Sequence, residues 1–580
     1  MNTIEYILKR LEEFEIKKIF CVPNSYNLNI INVVKSTPEI NLINCTNELN
    51  AGYAADGYAR ISGYGAIVTS YGDGELAAIN AIAGSMAENV PVINIVGIPS
   101  EKYIHSKTLL HHNLLNVDYN SFIDAYRSVT LGCICLNIDN AKIEIDRIFK
   151  IFKKEKKPVY IAIPEDIAMM EILDKDVTYD WISDTNNLKN AAEKIAILIK
   201  EAKKPIIIGD ILVRRYNSEV QYKNFCEKSG IPVTNFIMGE GIVDNSIENY
   251  LGCYFSNFAN KKIKQYVDES DCVIAVGTIN SYLNSFNFNN SKEIKKDIAI
   301  YGSYVYINEQ KFDNVKMSDV LEEITKLIEH KNFEIEKDDT GYEYLEPQNV
   351  PMNYKFFFSS LQEFFKDNDI LFVENSSLTY GISSIKLPNK INIQSQMLWC
   401  SAGWATSAIL GACNAKPESR VILLTDSNSH LKSCIELGTV LKYGYKPIII
   451  VVNNMNTTCE NNQDDFSFNY TKFARIFDGE IWAAKVATEV DFDKALKVTK
   501  IMNKLCYIEV IVEQDSLIKF VQDIIDYSQL KNNDVIENSI DKNGYKSILT
   551  NRAGSIGYET TVHKAFRDID KLFNTEVSYE

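Results

Sequence analysis

Basic residues are in the minority in this chain: 61 Lys+Arg stand against 77 Asp+Glu, a formal charge of −16. A broad nucleic-acid-binding face needs the opposite balance and is excluded, although a helix N-terminus can still hold a phosphate inside an acidic protein. No apolar run approaches the ~20 residues that cross a bilayer; the longest, such as Ile448 to Val452, have strand length. The start, Met1-Asn2-Thr3-Ile4-Glu5, has an acid where a signal peptide needs a basic end and an apolar stretch. With 46% hydrophobic and 24% charged residues the composition is ordinary for a globular chain, which excludes a disordered scaffold, a collagen-like fibre and a coiled coil. A P-loop is absent. The 12 cysteines are scattered and show neither zinc-knuckle nor redox CxxC spacing, Cys133-Ile134-Cys135 being the close pair. They read as small core residues in a reducing compartment, so the expected protein is soluble and cytoplasmic.

Dividing 580 residues by about 150 suggests roughly four domains, or three large ones. Ile4, Ile7, Leu8, Leu11 and Phe14 recur at helical spacing behind Thr3 as the expected cap. Ile19 to Val22 then makes a short apolar run that stops at Pro23. The same unit recurs where Pro158 precedes Val159 to Ile163, Pro205 precedes Ile206 to Ile208, and Pro447 precedes Ile448 to Val452. Proline suits the first position of a strand, and strands apolar at every position belong in parallel sheets covered by helices on both faces. Two polar, acidic stretches, 174–188 and 332–352, read as linkers. The expected fold is therefore α/β, with three doubly wound parallel-sheet domains at 1–173, 189–331 and 353–530. An Asn/Asp/Ser-rich extension, 531–580, should end in an amphipathic helix through Val562, Phe566, Ile569 and Phe573.

Gly63-Tyr64-Gly65 precedes the strand Ala66 to Thr69 and lacks a third glycine, so it is not a dinucleotide loop. More informative is Asn47-Glu48-Leu49-Asn50-Ala51-Gly52-Tyr53-Ala54-Ala55-Asp56-Gly57-Tyr58-Ala59-Arg60, a helix rich in small residues that opens on a carboxylate. By default such an acid interacts with the helix dipole. This segment resembles the glutamate-containing helix of thiamine-diphosphate-dependent 2-oxo acid decarboxylases, the pyruvate and indolepyruvate decarboxylase family. Similar stretches follow in that family's order: Gly74-Glu75-Leu76, Gly84-Ser85-Met86-Ala87-Glu88, Val96-Gly97-Ile98-Pro99-Ser100, His111-His112, Met238-Gly239-Glu240-Gly241, Leu398-Trp399, Asn453-Asn454 and Glu460. They cover about residues 1–530, so the three blocks are similar to the family's pyrimidine-binding, central and diphosphate-binding domains.

The resemblance implies a cofactor at a dimer interface, in a homodimer or tetramer acting on a small 2-oxo acid. Glu48 would hydrogen-bond the aminopyrimidine, and the protein's share would be positioning and electrostatics. Asp426 and Asn454, each at the end of an apolar strand, would hold Mg²⁺ through hard oxygen donors, with the backbone of Asn456 as the third ligand. By default Asp426 alone would be a strand-end helix cap. Ser377, Cys400, Ala402, Ser427 and Asn428 fall at cofactor-binding positions. His111 and His112 match proton transfer and contact with the substrate's carboxylate, and Glu460 matches a second active-site carboxylate.

The departures from the family pattern concentrate in this site. Ser25 stands where a catalytic aspartate is usual. The diphosphate signature Gly-Asp-Gly-Ser reads Thr425-Asp426-Ser427-Asn428, and Asn456 replaces a glycine. Cys400 replaces a glycine, and Ala402 replaces a bulky aliphatic wedge whose loss is worth roughly 2–4 kcal/mol of packing. The leading expectation is thiamine-diphosphate- and Mg²⁺-dependent decarboxylation with aldehyde release or carboligation, away from efficient pyruvate turnover. One alternative is a chain that has lost the cofactor and uses Glu48, His111, His112 and Glu460 as an acid/base set, with Cys400 as nucleophile. The other is a catalytically silent regulatory paralogue.

Overall fold

Isoleucine and valine runs make the strands, and the runs that are apolar throughout sit in sheet centres. The structure, a computed structural model, describes residues 1–173, 177–243, 246–256, 259–285, 296–335, 341–454 and 468–512. Asn456, Glu460 and the 531–580 extension with its expected helix lie outside the described residues.

The first sheet holds β1 (Lys18–Cys21), β2 (Asn41–Asn44), β3 (Gly65–Ser70), β4 (Val92–Ile98), β5 (Gly132–Cys135) and β6 (Val159–Pro164). All its pairings are parallel, in the order β2-β1-β3-β4-β6-β5. Every position of β3, β4 and β6 is buried, including the polar Asn94 in β4, whose Oδ1 accepts the Thr69 hydroxyl of β3 at 3.0 Å. The second sheet holds β7 (Pro205–Gly209), β8 (Val233–Asn235), β9 (Tyr250–Cys253), β10 (Cys272–Val276), β11 (Ile298–Ile300), β12 (Tyr304–Ile307) and β13 (Gln310–Asp313). It is parallel except for β12 and β13, which form an antiparallel edge. The third sheet holds β14 (Ile370–Val373), β15 (Asn392–Gln394), β16 (Val421–Asp426), β17 (Ile448–Asn453), β18 (Ile481–Val486) and β19 (Leu505–Ile511), parallel throughout. Its order, β15-β14-β16-β17-β19-β18, repeats that of the first sheet strand for strand. No short sequence repeat announces this duplication.

The small-residue helix Glu48–Ser62 packs against the helix Trp404–Ala415, joining the first and third sheets. The two backbones nearly touch: a Cβ on Gly57 would lie 2.1 Å from the Ala408 carbonyl oxygen, and one on Gly411 2.0 Å from that of Ala54. One apolar core runs through the contact, from Phe20 and Ile67 to Trp404, Leu410 and Leu423.

Local signals differ from expectation in two places. The first helix, Thr3–Glu13, is capped by Asn2, not Thr3: Asn2 Oδ1 accepts the Glu5 N–H at 2.9 Å and Glu5 Oε2 accepts the Asn2 N–H at 2.8 Å. Thr3 instead donates its hydroxyl to the Met170 carbonyl at 3.2 Å, because it is buried against the end of the first block. The helix Thr185–Glu201 begins inside the stretch read as a linker, capped by the Asp184 carboxylate.

Candidate active site

In a doubly wound sheet, ligands bind beyond the carboxyl ends of the strands where the winding reverses. That point lies between β1 and β3 in the first sheet and between β14 and β16 in the third. Of the sequence-selected residues that are described, Ser25, Ser377 and Asp426 follow or end strands at those points, and Asn454 follows the next strand.

In the first block, Ser25 follows β1 and its hydroxyl lies 2.9 Å from His111 Nε2. The Tyr26 hydroxyl lies 3.1 Å from His111 Nδ1, and the two rings stack with centroids 4.5 Å apart. His111 is thus held between two hydroxyls, with His112 beside it at 4.9 Å between rings. His112 takes a left-handed backbone (φ 64°), and its carbonyl presses on Gly72, where a Cβ would sit 2.4 Å from that oxygen. Gly72 also has a positive φ of 70°, so only glycine suits both demands. Two residues on, a Cβ at Gly74 would meet Ser70 Oγ at 2.7 Å and Glu48 Oε1 at 3.1 Å. The Gly72–Gly74 turn therefore has His112 on one side and Glu48 on the other. Glu48 opens its helix behind an Asn47 cap. Burial pushes its carboxyl above the usual carboxylate range, with Asp73 adding to the effect and its own backbone N–H opposing it. Ser70 is buried and its hydroxyl finds no partner among the described residues, an unspent polar group next to Glu48.

In the third block, Asp426 ends β16 and also caps the helix Ser427–Leu431, its Oδ1 accepting the Ser429 N–H at 2.9 Å. The default reading as a strand-end helix cap thus holds, at the strand end where the resemblance expects a Mg²⁺ ligand. Asp426 pairs in register with Val452, so Asn454 follows just beyond the neighbouring strand end. Ser427 is buried beside Tyr470, whose burial-raised hydroxyl it helps to lower. Ser377 starts the helix Ser377–Ile382 behind a Ser376 cap, beside Tyr354. Asn428 is exposed. Cys400 takes a left-handed backbone (φ 58°), a conformation that suits glycine, accepting from Asn375 Nδ2 at 2.8 Å and donating to the Met397 carbonyl at 3.3 Å. Burial pushes its thiol up to about 11, so it is protonated at neutral pH and poorly suited to act as a nucleophile. Ala402 is half-buried, so its small size leaves room at the rim and not a void in the core.

These residues fit thiamine diphosphate with Mg²⁺. A carboxylate and an amide oxygen at adjacent strand ends are a hard donor set suited to Mg²⁺. Ser427 and Asn428 lie at the start of a helix and neither takes a positive φ, so the missing glycine is not required by the backbone here.

Several residues at the site were not singled out from sequence. Glu374, directly after β14, is buried and accepts the Gly403 and Ala405 N–H groups at 3.2 and 3.3 Å, fixing the entry to the helix Trp404–Ala415. Burial, then the charge of Asp426, pushes it up to about 8. Its signal was an acid placed immediately after a wholly apolar strand, as Asp426 is. Glu75 is fully buried under the Gly72–Gly74 turn, where it accepts the Gly72 N–H at 2.8 Å and the Tyr160 hydroxyl at 2.7 Å. Burial pushes it up to about 7. Tyr26, Tyr354 and Tyr470 carried no local signal, because distant segments bring them to the site.

Residues 1–121 match the thiamine pyrophosphate enzyme N-terminal TPP binding domain, 192–328 the central domain and 380–510 the C-terminal TPP binding domain. Pyruvate decarboxylase of Kluyveromyces lactis is 31% identical over 471 residues, covering 78% of this chain and 83% of that protein. Pyruvate decarboxylase isozyme 2 of Saccharomyces cerevisiae is 31% identical over 475 residues, covering 79% and 84%. Pyruvate decarboxylase 1 of Pisum sativum is 28% identical over 538 residues, covering 89% and 91%. No helix among the described residues is long and apolar enough to cross a membrane.

Proposed function

The chain belongs to the thiamine-diphosphate-dependent 2-oxo acid decarboxylase family, and on that premise we propose that it is a working, Mg²⁺-dependent carboxy-lyase. Its substrate in this reading is a 2-oxo acid bulkier than pyruvate, with the product aldehyde released or joined to a second carbonyl. The carrying observation is that a half-buried Glu48 and Asp426 stand by the strand-reversal points of two sheets with one strand order, with Asn454 just beyond the end of the strand next to Asp426.

When bound, the cofactor supplies the electron sink for loss of CO₂. Asp426 and Asn454 would hold Mg²⁺, with Asn456 as the proposed third ligand. The helix starts at Ser377 and Ser427 would offer N–H groups to the diphosphate. Cys400 and Ala402 would face the aminopyrimidine, and Glu48 would hydrogen-bond it, favoured in its protonated form by burial. His111 holds a proton between Ser25 and Tyr26, within a network that can pass it on or accept a hydrogen bond from substrate. Ser25 keeps a hydroxyl in that network but supplies no charge, and half-buried Ala402 widens the rim; both favour a roomier substrate. Glu460 is proposed as a second acid. The domain limits 1–173, 189–331 and 353–530 are part of the same proposal.

We further place the two halves of the site on two protomers. Exposed apolar side chains beside both halves support this: Leu114 and Leu115 on the histidine loop are 48% and 89% exposed, and Trp399 beside Cys400 is 41% exposed.

Glu48→Gln tests the mechanism. It should lower CO₂ release from the preferred 2-oxo acid by about 100-fold or more while leaving the unfolding midpoint in place. Retained turnover would reject the role of Glu48.

A further inference from the structure

At the edge of the third sheet opposite the cofactor residues, a groove runs between the middle and third blocks. It passes the amino-terminal ends of β14 and β15, at Ile370 and Asn392, and has a volume of about 600 Å³. It continues inward past Arg214 and Lys416 to a smaller cavity of about 170 Å³ that also touches the first block. Arg214, Lys223, Lys390 and Lys416 line the groove, Arg60 and Arg215 line the cavity, and Glu219 is the one acid along either. In a chain of net charge −16 this is a local reversal of sign. Fields of this kind act over about 8 Å at physiological salt, so a groove-sized cluster is felt by an anion inside it.

The cations differ in what already occupies them. Arg60 is spent on Asp56 and Glu88 at 2.6 and 2.7 Å. Arg214 ties the blocks together, donating to Asn392 Oδ1 at 2.8 Å, the Gly241 carbonyl at 2.6 Å and Glu219 at 3.3 Å. Arg215 is another matter. It is only 5% exposed, its Nη2 donates to Gln394 Oε1 at 3.0 Å, and its Nε and Nη1 find no partner among the described residues and have almost no accessible surface. A buried guanidinium without a carboxylate partner leaves its positive field uncancelled at the cavity wall. Lysines spaced along the groove suit several charges on one ligand.

We propose that this groove binds a phosphate-bearing small anion, with Lys416 and Lys390 as the charges that meet it and the buried guanidinium of Arg215 adding positive field from behind the cavity wall. Such a ligand would bridge the middle and third blocks at a point separate from the carboxyl strand ends that carry Asp426 and Asn454.

Inorganic tripolyphosphate in EDTA is the probe, titrated calorimetrically into the full-length protein. The expected result is one site per chain, weakened at least tenfold in Lys416→Glu/Lys390→Glu and within threefold of wild type in Asp426→Ala. Arg215→Met should also weaken binding; the exposed lysine pair keeps the test decisive if that variant fails to fold. Three results would each overturn the proposal: no binding at millimolar probe, binding that disappears with Asp426→Ala, or binding indifferent to the lysine pair.

Discussion

The junction between the first and third sheets and the cofactor rim beside it draw on neighbouring residues, and their polar groups are treated in opposite ways. At the junction, buried Arg60 bonds Asp56 at 2.6 Å and Glu88 at 2.7 Å, and lies 4.5 Å over the Trp404 ring. Trp404 Nε1 donates to Asp56 at 2.8 Å, Ser85 to the other Asp56 oxygen at 2.7 Å, and the Leu398 N–H to Glu88 at 2.8 Å. Both carboxylates there are matched from within the protein. A few residues away, Cys400 holds a left-handed backbone, Asn428 faces solvent and the Ser70 hydroxyl finds no partner among the described residues. The charged groups of the junction are matched by protein, although the Ser407 hydroxyl in the same helix finds no partner among the described residues, whereas the rim combines backbone strain with exposed polar groups.

Breaking the junction should have the largest effect on stability. Arg60→Met strands Asp56 and Glu88 as buried unpaired charges, and urea unfolding should show a loss of about 3–5 kcal/mol. A loss below about 1 kcal/mol would mean that the network is not what joins the sheets. Glu75, under the histidine turn, tests the other region through pH. Its carboxyl is raised from 4.5 to about 7 by burial, so its favourable contribution is complete below about pH 4.5 and is lost as pH rises through about 7. Unfolding measured from pH 4.5 to 8 should therefore decline less steeply in Glu75→Gln than in wild type; identical slopes would contradict the burial assignment. The smallest effect is expected at the strained rim. Cys400→Gly removes a side chain from a left-handed position and should add about 0.5–1 kcal/mol of stability. A net loss would show that the Asn375 and Met397 contacts outweigh the strain.

The α/β class was legible because the runs in β6, β7, β16 and β17 are apolar at successive positions, and the strand-end places of Asp426 and Asn454 were legible from two of them. The helix at Glu48 was legible from its small residues, whose purpose became clear only with the partner helix at Gly411. The shared strand order of the first and third sheets was hidden, since topology constrains burial and not residue identity. Tyr26 and Tyr470 were hidden because their partners come from other elements, and Asn2 outcompeted Thr3 as a cap because Thr3 is buried. The glycine replacements at Cys400 and Ser427 looked alike in sequence, yet only Cys400 takes a positive φ.

The central claim is that the edited site still holds its cofactor and works. Dialysed protein, given millimolar thiamine diphosphate and Mg²⁺, should release CO₂ from a panel of 2-oxo acids, best from those larger than pyruvate. Saturation at a hundredfold the dissociation constant should also add about 2.7 kcal/mol of stability. Stabilisation without CO₂ from any 2-oxo acid, or no stabilisation at all, would contradict the account.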